Sequence, residues 1–494
     1  MAKNSISSFL KMLPVVLSLA AAEGAAQAPK KASSFPDSVT VAASDRYQPA
    51  TFLRRWIMGN NYRREWHTPV TLPVFRLAES GLTPTEMGGG QQTKSLRLTD
   101  NRGREWALRT VDKDAKGALP LWARKTFLNK IVQDMISAAH PYAAVTVGYL
   151  AHKAGIMAPR PTLYYVPDDG AFGKFREPMG GTVCMLEERE PTHDGSETAK
   201  TDDVLELIVE ENDQLVLQRR VLRARLLDML SADWDRHADQ WRWGAVDSGK
   251  VTYYYAIPRD RDQAFFHSDG LLPWLARLTA MRHISRFTWN AKGLKPLNIK
   301  SRHFDRVFLN GLDARAWKAE TEAFCRRLPD SVIIAAVKQL PPEIFALDSA
   351  LLVGKLISRR DALGEKVLEY YRHLAEGVQV HGSDEGELFR VKGDKDKNIT
   401  VTVHRYKEGR GIGRKLYERT FLPGETRFIY LLGFQGDDTF EIDEAASSQI
   451  RILMYGGEGK DRYNLQGAVR SRVYDRRSDN NEWIHRSHAK VHLR

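Results

Sequence analysis

The sequence predicts an α+β chain in three parts: a mixed first half, a helical stretch and an all-β C-terminal region. Three observations carry this. Strand-like alternation and helical periodicity interleave from about residue 68 to 258. Residues 313–375 read as helix only, with apolar Trp317, Phe324, Leu328, Ile334 and Val337. From Val378 to Val473 nearly every segment alternates with period two, as in "ITVTVHRY", "RFIYLLG" and "IRILMYG". With 494 residues the chain has room for two to four domains. Its 42% hydrophobic and 28% charged content excludes disordered, collagen-like and coiled-coil classes. Two cysteines, Cys184 and Cys325, exclude a disulfide-rich scaffold, a cysteine-based zinc cluster and an iron–sulfur site. The net charge of +12 suits anionic partners. There is no long Lys/Arg run, so the charge reads as diffuse surface and no nucleic-acid partner is expected.

In chain order, Lys3 and Lys11 precede an apolar run from Met12 to Ala22, and Ala26-Gln27-Ala28 stands before Pro29. This is the layout of a cleaved secretory signal, residues 1–28, followed by a linker, 29–46. No later stretch reaches 18 apolar residues, so no transmembrane helix is expected. The protein is expected to be exported, periplasmic or associated with the outer membrane. "TPVTLPVFRL" (68–77) reads as a strand, and "TKSLRLTDNRGREWALRTV" (93–111) as a hairpin turning at Asp100–Gly103. Helical patterns follow at 121–137 and 140–155, strands at "PTLYYVPDDGAFGKF" and "GGTVCMLEERE", an amphipathic helix at 212–231 and a β-rich run at 251–258. "RRVLRAR" (219–225) reads as a solvated basic face, and Trp241 and Trp243 as core. The domains expected are 47–375 (α+β) and 376–475 (all-β, sandwich or roll-like), then a polar tail, 476–494, with His485, His488 and His492.

The chemistry-bearing stretch is "LLDMLSADWDRHADQWRWG" (226–244) followed by "YYYAIPRDRDQAFF" (253–266). A helix ends and a loop presents Asp233, Asp235, His237 and Gln240. A strand then ends in Asp260 and Asp262. Carboxylates on two neighbouring loops suit Mg²⁺ or Mn²⁺, which take oxygen ligands and keep positions for phosphates. Phosphoryl transfer also needs a carboxylate to accept a hydroxyl proton, with a metal-holding residue five positions later, the spacing of Asp235 and Gln240. The competing reading is a structural network, in which Arg236, Arg259 and Arg261 neutralise these acids. If Arg236 and Arg261 neutralise Asp260 and Asp262, no metal is needed.

The two loops resemble those of atypical protein kinases: the spore-coat CotH kinases, the secretory-pathway casein kinases and, more distantly, the HipA group. "DRHADQ" (235–240) matches their D-x-H-x-x-N/E catalytic loop, and "IPRDRDQAF" (257–265) their acidic metal motif. The resemblance implies a two-lobed kinase-like domain. Asp235 would be the catalytic acid/base, His237 a positioning residue, Gln240 a metal holder, and Asp260 or Asp262 the bridge between metal and phosphates. Upstream, "EMGGGQQTKSLRL" (86–98), with Gly88, Gly89, Gly90 and Lys94, stands where a phosphate loop would sit. "REWALRTVDKD" (104–114) would supply the nucleotide-binding cation as Arg109 or Lys113, and "TVCMLEERE" (182–190), with Glu187, the strand entering the hinge. Asp134 is the acid nearest to where a helix carboxylate should pair with that cation. From "YRREWHTPV" (62–70) to "YERTF" (417–421) the chain also resembles a region of large exported bacterial proteins that precedes an outer-membrane β-barrel, which implies an outer-membrane partner.

In the all-β part, "GSDEGELFRV" (382–391), "GFQGDDTFEI" (433–442) and "GGEGKDRYNL" (456–465) echo one another: glycine, acids, an aromatic, an aliphatic. "GGEGKDRYN" fits the nonapeptide that binds Ca²⁺ in parallel β-rolls, which nominates Asp437, Asp438 and Asp461 as Ca²⁺ ligands. Three functions follow as expectations. The first is an exported kinase-like phosphotransferase using ATP or another nucleotide with Mg²⁺ or Mn²⁺, its acceptor a protein, glycan or lipid. The second is a catalytically degenerate scaffold or ligand-binding module of the cell envelope. The third is a metal-dependent hydrolase built from the same acids.

Overall fold

In the computed structural model, which describes residues 35–88, 93–122, 124–192, 194–279 and 281–493, structure starts inside the expected linker. Strand β1 (Ser38–Val41) precedes a short helix α1 (Phe52–Met58) and pairs antiparallel with β2 (Val70–Pro73). The expected signal segment, Gly89 and Gly90 lie outside the described residues.

The first layer is a five-stranded antiparallel sheet made of β3 (Leu82–Gly88), β4 (Ser95–Asp100), β5 (Glu105–Thr110), β6 (Thr162–Val166) and β7 (Thr182–Glu188). Its order is β3-β4-β5-β7-β6. The β4–β5 hairpin turns where the sequence predicts, because the Asp100 carboxylate accepts the N–H groups of Arg102 and Arg104, both at 2.9 Å, and Gly103 takes φ +78°. Between β5 and β7 lie α2 (Phe127–Met135) and α3 (Ala143–Lys153). Asp134 on α2 pairs with Arg54 and, at 2.5 Å, with Arg63. It therefore ties α2 to the N-terminal segment and does not meet Arg109 or Lys113.

A second sheet has the order β8-β10-β11-β9 and consists of β8 (Ala199–Lys200), β9 (Gln214–Val216), β10 (Trp241–Ser248) and β11 (Val251–Pro258). Helix α4 (Gln218–Ser231) lies between β9 and β10. The helical part follows with α5 (Leu271–Leu278), α6 (Ala314–Arg327), α7 (Asp330–Val337) and the 34-residue α8 (Pro342–Ala375). Trp241 and Trp243 are core, packed on Phe304 and Phe308 with ring centroids 4.7 and 4.6 Å apart. Cys184 and Cys325 are both free thiols. No helix among the described residues is long and apolar enough to cross a membrane.

The C-terminal region is the roll-like alternative, a parallel β-solenoid. One sheet is wholly parallel: β12 (Gly377–His381), β16 (Phe428–Phe434), β18 (Arg451–Gly457), β20 (Ser471–Asp475) and β22 (Ala489–Leu493). The facing sheet stacks β13 (Glu387–Gly393), β17 (Thr439–Ile442), β19 (Arg462–Leu465) and β21 (Glu482–Arg486) in parallel. An antiparallel hairpin, β14 (Ile399–Lys407) and β15 (Gly411–Phe421), extends it beside β13. Parallel strands usually read as continuous apolar runs because both faces are covered. Here each sheet covers the other on one side only, and the sequence alternates. The expected polar tail instead supplies the last strands, and His492 stacks on Tyr474 at 5.0 Å.

The sequence echo is the solenoid repeat. Glu387, Asp438, Asp461 and Asn481 occupy equivalent positions in successive coils. The N–H of Glu387 donates to Asp438 (2.8 Å), that of Asp438 to Asp461 (2.9 Å), and that of Asp461 to Asn481 (2.8 Å). Two residues on, Phe389, Phe440, Tyr463 and Trp483 stack with centroids 4.8, 5.2 and 4.5 Å apart and planes within 14°. Gly433 and Gly456 are required because a Cβ there would overlap the carboxylates of Asp438 and Asp461. Burial pushes the Asp461 carboxyl up to about 8 and raises Glu387 and Asp438. The expected Ca²⁺ ligands Asp438 and Asp461 therefore belong to the hydrogen-bond ladder that links the coils. Asp438 and Asp461 stand one per coil, occupied by backbone amides, and Asp437 accepts the Lys460 N–H at 2.8 Å. Among the described residues no group of three or more His, Cys, Asp or Glu side chains is placed to hold a metal.

Candidate active site

One hairpin brings the two acidic loops together. β10 and β11 pair with Trp241 opposite Pro258, so the residues before β10 and after β11 leave from the same end. There the Arg259 N–H donates to the Gln240 carbonyl at 2.9 Å. Upstream, α4 stops at Ala232, whose left-handed backbone (φ 54°) turns the chain into the first loop. Arg236 fastens the loops together. Its buried guanidinium donates to the carbonyls of Arg259 (2.6 Å), Asp260 (2.9 Å) and Gln240 (3.2 Å), and lies 4.8 Å from the Trp241 ring centre.

Beneath the loops is a buried ionic network centred on Asp228 of α4. Arg225 and Arg261 both bond to it, and the Arg236 Nε lies 3.5 Å away. Arg225 continues to Asp305 at 2.7 Å. It sits at the centre of the core, not on a solvated basic face. Burial, with Arg225 adding repulsion, pushes Arg261 down to about 9. Asp233 belongs to this network: it is 2% exposed and lies 3.6 Å from Arg261 and 3.8 Å from Arg236. Burial, opposed by Arg236, raises its carboxyl to about 7. Arg236 and Arg261 thus neutralise Asp228 and Asp233 and leave Asp260 and Asp262 to other partners.

Those partners come from the first sheet. Lys113, three residues beyond β5, bonds through Nζ to Asp262. Arg109 on β5 lies 3.0 Å from Glu187 on β7 and 3.7 Å from Asp260. Gln133 on α2 fixes the lysine's backbone: its amide donates to the Lys113 carbonyl (2.8 Å) and its oxygen accepts the Ala115 N–H (2.9 Å). The side chains of Asp260 and Asp262 keep 29% and 23% of their surface exposed, so solvent reaches both. Burial and the charge of Asp260 push Asp262 up to about 6 against the pull of Lys113. Burial acts on Asp260 too, but Arg109 and Lys113 outweigh it and hold Asp260 below the usual carboxylate range. One carboxylate is therefore charged and its neighbour titrates near neutrality, which is how adjacent acids divide a proton.

Asp235 faces the same cleft from the helical side, with Lys300 Nζ 2.5 Å from its carboxylate. Lys300 also lies 4.8 Å from the Trp234 ring centre. Sequence reasoning missed Lys300, because a lysine 65 residues from its partner carries no local signal. Other expected residues stay out of the cluster. His237 points to Asp239 at 3.4 Å, and the Gln240 amide lies 3.4 Å from His237. Gly88 is an ordinary strand residue opposite Ser95, and Lys94 is exposed just before β4. The Glu187 carboxylate lies beside Arg109.

A cavity of about 370 Å³ adjoins the cleft. Lys113, Asp235 and Lys300 line its polar part, and Ile131, Met135, Phe266, Pro273 and Ile284 line its apolar part.

No family model and no curated protein matches the chain. Among solved structures it is similar to the proinflammatory kinase CtkA of Helicobacter pylori. Sequence identity is 11%, over 58% of this chain and 96% of that one, with a TM-score of 0.32. It is also similar to the Rio2 kinase of Chaetomium thermophilum, solved as an ADP/Mg²⁺–phosphoaspartate complex. There the identity is 11%, over 57% and 71% of the two chains, with a TM-score of 0.30. At such scores the likeness decides nothing, and the functional reading rests on the side chains described above.

Proposed function

We propose that the chain is a kinase-like phosphotransferase whose metal–nucleotide site lies between the first sheet and the loops of the β10–β11 hairpin. The observation that carries this reading is the division of partners. The loop arginines turn inward to Asp228 and Asp233, while Asp260 and Asp262 face Arg109 and Lys113 across a solvent-reached cleft. Asp260 and Asp262 are thus left on the solvent side of the loops, opposite cations from another part of the chain. Two adjacent carboxylates suit a hard divalent cation that keeps its remaining positions for phosphate oxygens and water. Asp260 and Asp262 would hold it, and when bound it would neutralise phosphate charge. Lys113 and Arg109 then have phosphate oxygens to meet in place of carboxylates. Asp235 is placed to accept the proton of an acceptor hydroxyl, and Lys300 orients its carboxylate and adds positive charge where the phosphoryl group passes. The acceptor is a protein, glycan or lipid hydroxyl. Export, inferred from Met12–Ala22 and Ala28, belongs to the same proposal.

A second reading, a kinase-like module that binds its ligand without turnover, has one observation in its favour. The Gln240 side chain is turned to His237 instead of supplying a further metal oxygen. Thermal unfolding with Mg²⁺ or Mn²⁺, with and without ATP, tests the site itself. A ligand at a hundred times its dissociation constant adds ~2.7 kcal/mol of stability. The expected result is a shift in the wild type that vanishes in Asp260→Ala/Asp262→Ala. Equal melting of both proteins with every nucleotide would sink the metal–nucleotide site. A shift without phosphate transfer to any acceptor would favour the second reading.

A further inference from the structure

The outer face of α1 and α5 is apolar and exposed, and the charge on and beside its helices is mainly arginine, with Asp269 at their base. Phe52, Leu53 and Trp56 on α1 are 78%, 63% and 59% exposed, and Trp274 and Leu278 on α5 are 49% and 52% exposed. The two helices share a rigid base. The Asn60 N–H donates to Asp269 at 2.9 Å, and a Cβ on Gly270 would overlap the backbone of Met58 and Gly59. Apolar patches of this kind on a folded surface mark an interaction site.

The composition says which partner fits. Residues 52–58 and 271–286 hold five arginines (Arg54, Arg55, Arg277, Arg282 and Arg286) and no Asp or Glu. Arg54 pairs with Asp134 and Arg277 donates to Ser268, while Arg55, Arg282 and Arg286 have no carboxylate partner among the described residues. A protein partner would have to bring acids to each of these positions. A bilayer needs no such matching: Trp, Phe and Leu enter the interface while arginine stems run along it and their heads meet lipid phosphates. α5 is also apolar on its other side, where Leu272, Pro273 and Ala276 wall the cavity that reaches Asp235 and Lys300. We propose that the α1–α5 face seats the protein on an anionic lipid surface.

The test is co-sedimentation with phosphatidylcholine vesicles and with vesicles that also contain phosphatidylglycerol, at low and high salt. It uses the full chain and the chain from Pro29, since Asp37–Arg494 form a compact unit of their own. The expected result is at least about tenfold tighter binding to the anionic vesicles at low salt, weakening as salt screens the arginines. In Phe52→Ser/Trp56→Ser/Trp274→Ser binding falls about tenfold or more, with an unchanged melting temperature because all three side chains are exposed. No binding of the chain from Pro29 to anionic vesicles, or equal binding of the triple variant, overturns the proposal. So does a dimer that the triple variant dissolves in the absence of vesicle binding, since a second copy then covers the face. Binding requires no nucleotide, so Asp260→Ala/Asp262→Ala sediments like wild type whether or not the phosphotransferase reading survives.

Discussion

The cleft and the solenoid each crowd carboxylates together, half-buried in the cleft and buried in the solenoid, and they handle the cost in opposite ways. In the cleft, Asp260 and Asp262 face Arg109 and Lys113 from another sheet, and one of the two stays charged. In the solenoid, Asp438 and Asp461 face backbone amides, the Tyr463 hydroxyl and other acids, with no cation opposite, and burial pushes both carboxyls up. An acid opposite a cation at a solvent-reached cleft is open to a third partner, as Asp260 and Asp262 are, whereas Asp228, opposite three arginines and sealed from solvent, is not. A buried acid opposite an amide is a hydrogen-bonding strut. Partner type and solvent access together, not the acid itself, separate a candidate site from a structural device.

The largest effect is expected where charge is most deeply buried. Asp228→Ala leaves Arg225, Arg236 and Arg261 without their shared carboxylate, and breaking a buried pair costs roughly 3–5 kcal/mol. Urea unfolding should show the loss. A cost below about 1 kcal/mol would mean that water replaces the carboxylate and that the network does not anchor the loops.

The next effect separates the two acid sets by pH. Asp461 keeps its proton to about 8 in the folded chain and releases it near 3.8 when unfolded. Between those values the unfolded state binds fewer protons, so stability falls as pH rises from about 4 to about 8. Asp262 adds the same sign over the narrower range up to about 6. Asp461→Asn reproduces the amide found at Asn481, keeps the acceptor for the Asp438 N–H and removes the titration. It should raise stability at pH 8 by roughly 1–3 kcal/mol and flatten the profile. Mg²⁺ should offset only the part due to Asp262, because a metal replaces that proton. An Asp461→Asn protein as pH-sensitive as wild type would show that Asp461 is ionised and weaken the contrast.

The smallest effect on stability belongs to Lys300→Ala. The ion pair with Asp235 is about one-third exposed, so its removal should cost less than about 1 kcal/mol. If Asp235 is the catalytic base, turnover should fall by roughly 10²-fold all the same. A loss of stability without a loss of turnover would make Lys300 a strut as well.

Much of this was legible in the sequence, for reasons that differ by region. The β4–β5 hairpin carries its turn chemistry locally, at Asp100 and Gly103, and was found in place. The helices from 313 to 375 show in their periodicity. The two acidic loops were found from residue type and spacing, and the repeated glycine–acid–aromatic pattern marked the coils. β10 was hidden because its tryptophans, read as core, gave no warning that they alternate along a strand. A glycine–acid repeat serves a calcium ladder and an amide-bonded acid ladder equally well, so the hydrogen bonds that run from coil to coil were not readable from it. Arg225 looked solvated from its neighbours in "RRVLRAR", yet one helix face carries it inward to Asp228 and Asp305. The pairing of Lys113 with Asp262 and of Lys300 with Asp235 spans 149 and 65 residues, beyond the reach of any local pattern.

The β10–β11 hairpin acts as a caliper. Its open end fixes the gap between the Asp235 loop and the Asp260–Asp262 loop, while its closed end, Asp247 to Lys250, projects into solvent. Gly249 takes φ +67° there, with no other part of the protein within 4 Å of its Cβ position. Extra residues at that tip lengthen the handle without moving the jaws. A reporter peptide inserted at Gly249 would therefore leave the cleft's dimensions unchanged. A single residue added between Gln240 and Trp241 would shift one jaw by a strand position and turn the side chains that follow to the opposite face of the sheet.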